Sequence, residues 1–182
     1  MTARNHLRVL ETQQTDPPLP AELSDVALFN RFSSYVAGIG FRLLGRNTEV
    51  DDLVQDVFFA AFKQREQLRD LSAAKSWLAV ITVRKARLRL RQRRFRQFVG
   101  LDSLPPLQSE DPALAPDDHA LLSRVYQVLD RVNVDCRVAW ILRYVEGEKL
   151  EQVAERCGCS LATAKRRIAA AQAYLHSEMN DG

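Results

Sequence analysis

Seven arginines and one lysine fall between residues 84 and 96. Arg84, Arg87, Arg91 and Arg94 recur at i, i+3, i+7 and i+10, which puts them on one face of a helix. No acid lies between Asp70 and Asp102, so nothing nearby in sequence neutralises this stripe. Like charges stacked this way repel by about 0.2–0.5 kcal/mol per pair. A polyanion supplies the missing countercharge, and the contacts it would make are to phosphates. A solvated basic face is the plainer alternative. It leaves unexplained the apolar run from Trp77 to Ile81 that opens the same segment.

A second basic group, Lys165-Arg166-Arg167, lies far along the chain. Ser160 is placed to cap a helix over 161–175, with Thr163 in its first turn and Lys165 and Arg166 in its second. A short helix over 150–157, stopped at Gly158, precedes it. Two short helices joined by a glycine turn, the second one basic, have helix-turn-helix form, although Ala-rich bundles mimic it. Arg167 points about 100° further round than Arg166 and is expected to pair with Glu151 or Glu155. A third polar group, Asp52, Gln55 and Asp56, forms the outer edge of a helix over 50–63 whose inner face is Val50, Leu53, Val54, Val57 and Phe58.

The elements that position these groups read as all-α. Ser24 or Asp25 caps a helix carrying Leu28, Phe32, Val36, Ile39 and Leu43 up to Gly45. Asn47 or Thr48 caps the next. No Gly or Pro interrupts residues 72–98, which predicts one long helix with Ala79, Val83, Ala86 and Leu90 as its apolar stripe. Four prolines and five acids fill the stretch up to Asp118, with no Lys or Arg after residue 100, and read as an extended linker. A second helical block follows, with Asp135 capping its central helix. The expected organisation is a loose arm over 1–20, a domain over 21–99, a flexible acidic linker over 100–117 and a helix-turn-helix domain over 118–182.

Composition sets the outer limits. The 182 residues carry a net charge of only +3, so the basic helices are local features. At 46% hydrophobic and 27% charged the chain is globular. No apolar run approaches the ~20 residues of a membrane helix, and no secretory leader is visible, which predicts a cytoplasmic protein. Cys136, Cys157 and Cys159 lack zinc spacing and read as small apolar residues in a reducing compartment. His6, His119 and His176 lie far apart, and no P-loop, nucleophile elbow or metal cluster appears. No cofactor, metal or enzymatic activity is therefore expected.

Three segments resemble one family. DDLVQDVFFAAFKQ (51–64) is similar to the polymerase-binding helix of bacterial sigma factors. SWLAVITVRKARLRLRQRR (76–94) is similar to their promoter-melting, minus-10-reading helix. LRYVEGEKLEQVAERCGCSLATAKRRIAAAQAYL (142–175) is similar to their minus-35-reading domain. Their order and the acidic linker match the small extracytoplasmic-function group. The resemblance implies a transcription initiation factor that binds core RNA polymerase, at the clamp of its largest subunit and at the flap, and promoter DNA, and helps to melt the duplex. It implies an anti-sigma factor that buries the polymerase-facing surfaces. It assigns polymerase binding to Asp52, Gln55 and Asp56. Minus-10 contact falls to Lys75, Trp77, Arg84, Arg87, Arg91 and Arg94, with the loop at 67–75 taking an unstacked base and Trp77 packing beneath it. Minus-35 contact falls to Arg143, Ser160, Thr163, Lys165 and Arg166. The family's usual Asn and Asp of the minus-10 helix are replaced here by Arg84 and Leu88, and Ala169 and Ala170 stand where basic or aromatic residues are frequent. A stand-alone helix-turn-helix regulator is the competing reading; it requires dimer symmetry or a ligand pocket, and no clear dimerisation heptads are present.

Overall fold

The computed structural model describes residues 24–45, 47–68, 70–100 and 116–180. Among them there are seven α-helices and no strand. The expected arm over 1–20 and most of the expected linker lie outside the described residues.

Helix α1 (Asp25–Leu44) starts at Ser24, whose Oγ accepts from the Ala27 N–H at 3.2 Å. It stops at Gly45, where φ is 72° and the N–H returns to the Phe41 carbonyl at 2.7 Å. A 3-10 turn, Asn47–Glu49, leads into α2 (Val50–Lys63). Neither Asn47 nor Thr48 caps it: the helix has no side-chain cap bond, and Asp51 and Asp52 in its first turn meet the exposed N–H groups electrostatically instead. Gly40 lets α1 and α2 approach closely, since a Cβ there would sit 2.6 Å from Leu53 Cδ2. Asp70 caps a further 3-10 turn, Leu71–Ala73, so the long basic helix α3 (Ala74–Phe98) begins two residues later than its pattern predicts. The expected stripe of Ala79, Val83, Ala86 and Leu90 is fully buried, together with Leu78 and Ile81. Helices α1, α2 and α3 pack on one another in all three pairings.

The second block is α4 (Pro116–Arg131), α5 (Val134–Tyr144), α6 (Leu150–Cys157) and α7 (Leu161–Asn180). Pro116 occupies the first helical position, where a missing N–H is harmless. Asn133, not Asp135, caps α5: its Oδ1 accepts from the Asp135 N–H at 2.9 Å. The Asp135 side chain is thereby released for other partners. Gly158, at φ 61°, ends α6, and Ser160 Oγ accepts from the Thr163 N–H at 3.2 Å to start α7. Helices α6 and α7 are thus a helix-turn-helix, with α5 packed along α7.

The two blocks touch, α3 lying against α5 and α6, and α1 against α5. Their seam is polar and rich in arginine. Arg137 of α5 is 2% exposed. It donates to the Leu43 carbonyl at 3.0 Å, to the Leu44 carbonyl at 3.1 Å, and to Asp130. Arg93 of α3, 5% exposed, donates to the Leu44 carbonyl at 3.2 Å and to Asp130 at 3.0 Å. Two cations and one carboxylate therefore close the C-terminal end of α1, where unpaired carbonyls carry partial negative charge. Tyr126 donates to the Arg42 carbonyl at 2.8 Å, and burial pushes its phenol up to about 12. Arg42 itself pairs with Glu146 across the seam, Nη2 to Oε2 being 2.9 Å.

Candidate nucleic-acid and polymerase interface

The acidic edge of α2 is where its sequence pattern puts it. Asp52 and Gln55 are exposed, with the apolar face of the helix turned inward on α1 and α3. Asp56 is half exposed and accepts from Arg89 Nη2 at 2.6 Å, which ties the edge to the basic helix.

Along α3, Lys75 is exposed with its Nζ 4.9 Å from the centre of the Tyr35 ring. Trp77 is half buried and packs on the core. Arg84 faces solvent. The other three members of the stripe meet the second block. Arg87 Nη1 donates to the Cys157 carbonyl at 3.0 Å. Arg91 Nη2 lies 3.0 and 3.1 Å from the two Asp135 carboxylate oxygens. Arg94 Nη1 donates to the Val132 carbonyl at 2.9 Å.

On the helix-turn-helix, Lys165 and Arg166 are exposed in the second turn of α7. Ser160 and Thr163 are joined hydroxyl to hydroxyl at 2.9 Å and serve the start of the helix. Arg143 is half buried, donating to the Glu148 carbonyl at 2.7 Å across the turn before α6. Glu148 is itself buried and paired with Arg156. Burial pushes its carboxyl up to about 7 despite that cation. Arg167 pairs with neither Glu151 nor Glu155: its Nη2 lies 3.2 Å from Asp135 Oδ2. The salt bridge forms to a different helix because Asp135, no longer needed as a cap, projects between α3 and α7. Burial likewise raises the Cys157 thiol to about 11, as suits a packed apolar residue.

Three residues essential to this arrangement lie outside the patterned motifs: Arg93, Asp130 and Arg137. Helical register carried a signal for two of them. Arg93 stands fourteen residues after Ala79 on the apolar stripe of α3, and Arg137 stands one turn from both Val134 and Ile141. Asp130 has no such signal, since its partners are 37 residues upstream and seven downstream.

Comparison with known proteins agrees with this division into two blocks. Residues 28–96 match the family model of sigma-70 region 2, and residues 122–174 match that of sigma-70 region 4. The chain is 30% identical over 139 residues to the RNA polymerase sigma factor CnrH of Cupriavidus metallidurans, covering 70% of this chain and 72% of that one. The chain belongs to the sigma-70 family of RNA polymerase sigma factors. Within it, it is an extracytoplasmic-function sigma factor. The sigma-E factor of Haemophilus influenzae, from that group, is 27% identical over 165 residues, which cover 84% of this chain and 85% of the relative. A relative from Xanthomonas campestris, described as a probable sigma factor RfaY, is 29% identical over 134 residues, but this sigma factor spans only 34% of its length.

Among solved structures, the sigma factor RpoE bound to the anti-sigma factor NepR from Bartonella quintana superposes with a TM-score of 0.64 at 23% identity, over 84% of this chain and 94% of RpoE. CnrH bound to the cytosolic domain of CnrY gives 0.57 at 22%, over 86% and 88%. Both share the all-helical fold. Among the described residues of this sigma factor no helix is long and apolar enough to cross a membrane.

Proposed function

We propose that this sigma factor binds core RNA polymerase through Asp52, Gln55 and Asp56 on α2, and carries it to promoters read at minus-10 by the first block and at minus-35 by the second. The observation that carries the reading is the presence of two cationic helices, α3 and α7, in two blocks that match region 2 and region 4 in that order. We place the domain boundaries near residues 99 and 118, outside the matched spans 28–96 and 122–174. Arg84, Arg87, Arg91 and Arg94 are too regularly spaced to meet four base edges. They hold phosphates, which position the protein without specifying sequence. Lys75, Trp77 and the turns before α3 form the place for an unstacked minus-10 base, and melting proceeds from its capture. Lys165 and Arg166 enter a major groove, where either can donate to guanine O6 and N7. Arg143, Ser160 and Thr163 hold the reading helix at its angle and reach the flanking backbone. The protein works in the cytoplasm, catalyses no reaction of its own, and answers to an anti-sigma factor, as the partners of RpoE and CnrH in their complexes indicate. A free-standing helix-turn-helix regulator accounts for α6 and α7 but not for the region 2 match. The test is reconstitution: the purified chain is added to core polymerase, and complex formation and run-off transcription on genomic fragments are measured. No complex with core at low salt refutes the proposal.

A further inference from the structure

Helix α7 rests on its own block by a narrow apolar stripe. Its buried residues are Ala164, Ile168, Ala171 and Leu175, and two of these four are alanine. Side chains that short interlock shallowly, so packing by itself offers little resistance to a roll of α7 about its axis. On a helical wheel Arg167 and Gln172 stand about 70° to either side of this stripe. Lys165 and Arg166 lie beyond them, exposed. Helix α5 grips both edges. Asp135 takes Arg167 at 3.2 Å on one side, and Trp140 Nε1 donates to Gln172 Oε1 at 2.6 Å on the other. Trp140 is itself held in place, being 8% exposed with its ring centre 5.4 Å from that of Tyr144. The Asp135 carboxylate is shared with Arg91 of α3, whereas Trp140 gives its single N–H to Gln172. A buried indole N–H seeks an acceptor wherever it lies; here the acceptor belongs to the helix that carries Lys165 and Arg166.

We infer that Trp140 and Gln172 are positioning residues for minus-35 recognition: their bond fixes the roll of α7 on α5, and hence where Lys165 and Arg166 meet the bases. The inference rests on the proposed base reading by that pair. A roll of ~10° carries a group on the rim of a helix, ~6 Å from the axis, through about 1 Å. Functional sites tolerate about 0.5 Å. Two parallel bonds to one guanine lose their alignment before a single bond to a phosphate does. Loss of the Trp140 bond is therefore felt as lost discrimination between bases more than as lost affinity. Gln172 needs no contact with DNA for this. It acts through Lys165, which stands two turns earlier on the same edge of α7.

The full chain in complex with core polymerase tests it. The probe is a pool of promoter duplexes randomised across the minus-35 element, from which the bound fraction is sequenced. Gln172→Leu keeps the bulk and removes the acceptor. It is expected to lower the preference for the best base about fivefold at the positions read, while affinity for the pool as a whole changes by less than about twofold. Gln172→Glu keeps an acceptor for the indole N–H and is expected to retain the parent's profile. If circular dichroism shows that Gln172→Leu loses helicity, Gln172→Asn, whose amide stops one carbon short of the indole, is read in the same way. Lys165→Ala reports on base reading itself. A profile as sharp as the parent's in Gln172→Leu, beside an altered one in Lys165→Ala, overturns the positioning role alone. Unaltered profiles in both refute base reading by α7 and the positioning role with it. A Gln172→Glu chain as flattened as Gln172→Leu overturns the part given to the Trp140 bond. Thermal melts accompany each variant. A lower Tm with every sequence weakened by one common factor assigns the bond to stability and likewise overturns the positioning role.

Discussion

Replacing Arg137 by alanine is the sharpest probe of how the two blocks are joined. The guanidinium makes two bonds to α1 carbonyls at 3.0 and 3.1 Å, a third contact at 3.3 Å and an ion pair with Asp130, all at 2% exposure. Removing one partner of a buried pair costs ~3–5 kcal/mol, because the remaining charge stays buried. Here Arg93 keeps Asp130 company at 3.0 Å and keeps the Leu44 carbonyl at 3.2 Å, so the low end applies. The Leu43 carbonyl is left without this donor, and the space of the side chain is emptied. The expected loss is about 3 kcal/mol, or ~6–12 °C in Tm for a chain of this size. Urea denaturation followed by far-UV circular dichroism at low and high salt reads it. The loss is expected to be nearly independent of salt, since the site is shielded from ions. It should also split one cooperative transition into two as the blocks uncouple. Arg84→Ala, an exposed change on the same seam-forming helix, gives the baseline of about 0.5 kcal/mol or less for a surface site. An Arg137→Ala chain that melts with the Arg84→Ala chain, in one transition, refutes the view that the seam holds the blocks together.

Other expectations follow from single contacts. Asp56→Arg places a cation beside Arg89 on the exposed edge of α2 and is expected to weaken core polymerase binding at least tenfold (~1.4 kcal/mol) with the fold retained; pull-down against core measures it. Lys165→Ala and Arg166→Ala are each expected to cost about tenfold in run-off transcription and to re-rank point-mutated minus-35 elements, since a base contact carries ~1–3 kcal/mol of discrimination; equal losses on all variants would leave only phosphate contact. Glu148 is raised from its ordinary 4.5 to about 7 by burial, so the folded chain holds a proton that the unfolded chain releases. Stability therefore falls as pH climbs from about 4.5 to about 7 and is level above that. Glu148→Gln is expected to gain ~1 kcal/mol at pH 8, after allowance for solvent screening, and nothing at pH 4, as read by thermal melts.

The regular parts of this fold were legible because they depend on neighbours in sequence. Ser24, Gly45, Gly158 and Ser160 act within four residues, and each marks the boundary its type predicts. The stripe from Ala79 to Leu90 is read from spacing alone and is buried as expected. At α5 two acceptors compete, and Asn133 wins because its backbone, at ψ 135°, is extended in the way a cap requires. What sequence spacing could not reveal is what covers a face. Arg84, Arg87, Arg91 and Arg94 do share one side of α3, but Arg87, Arg91 and Arg94 each also bond to the second block. The cover comes from residues 132–157, and its acceptors are mostly carbonyl oxygens that any amino acid supplies. Arg93 and Arg137 were obscured for a related reason: arginine is read as surface by default, and its burial depends on partners from other elements.

Gly40 bears on how the molecule could change over time. Its hydrogen faces the end of the Leu53 side chain, 2.6 Å from where a Cβ would stand, so a methyl group there requires that buried side chain to shift. Alanine at position 40 would displace the Leu53 side chain and press on Val50, on the inner face of the helix whose outer edge carries Asp52, Gln55 and Asp56. A compensating change is available from the other side, since a shorter residue at position 53 would vacate the volume. The two positions form a lock in which neither is free to drift alone, although both are silent in any census of charges or hydrogen bonds.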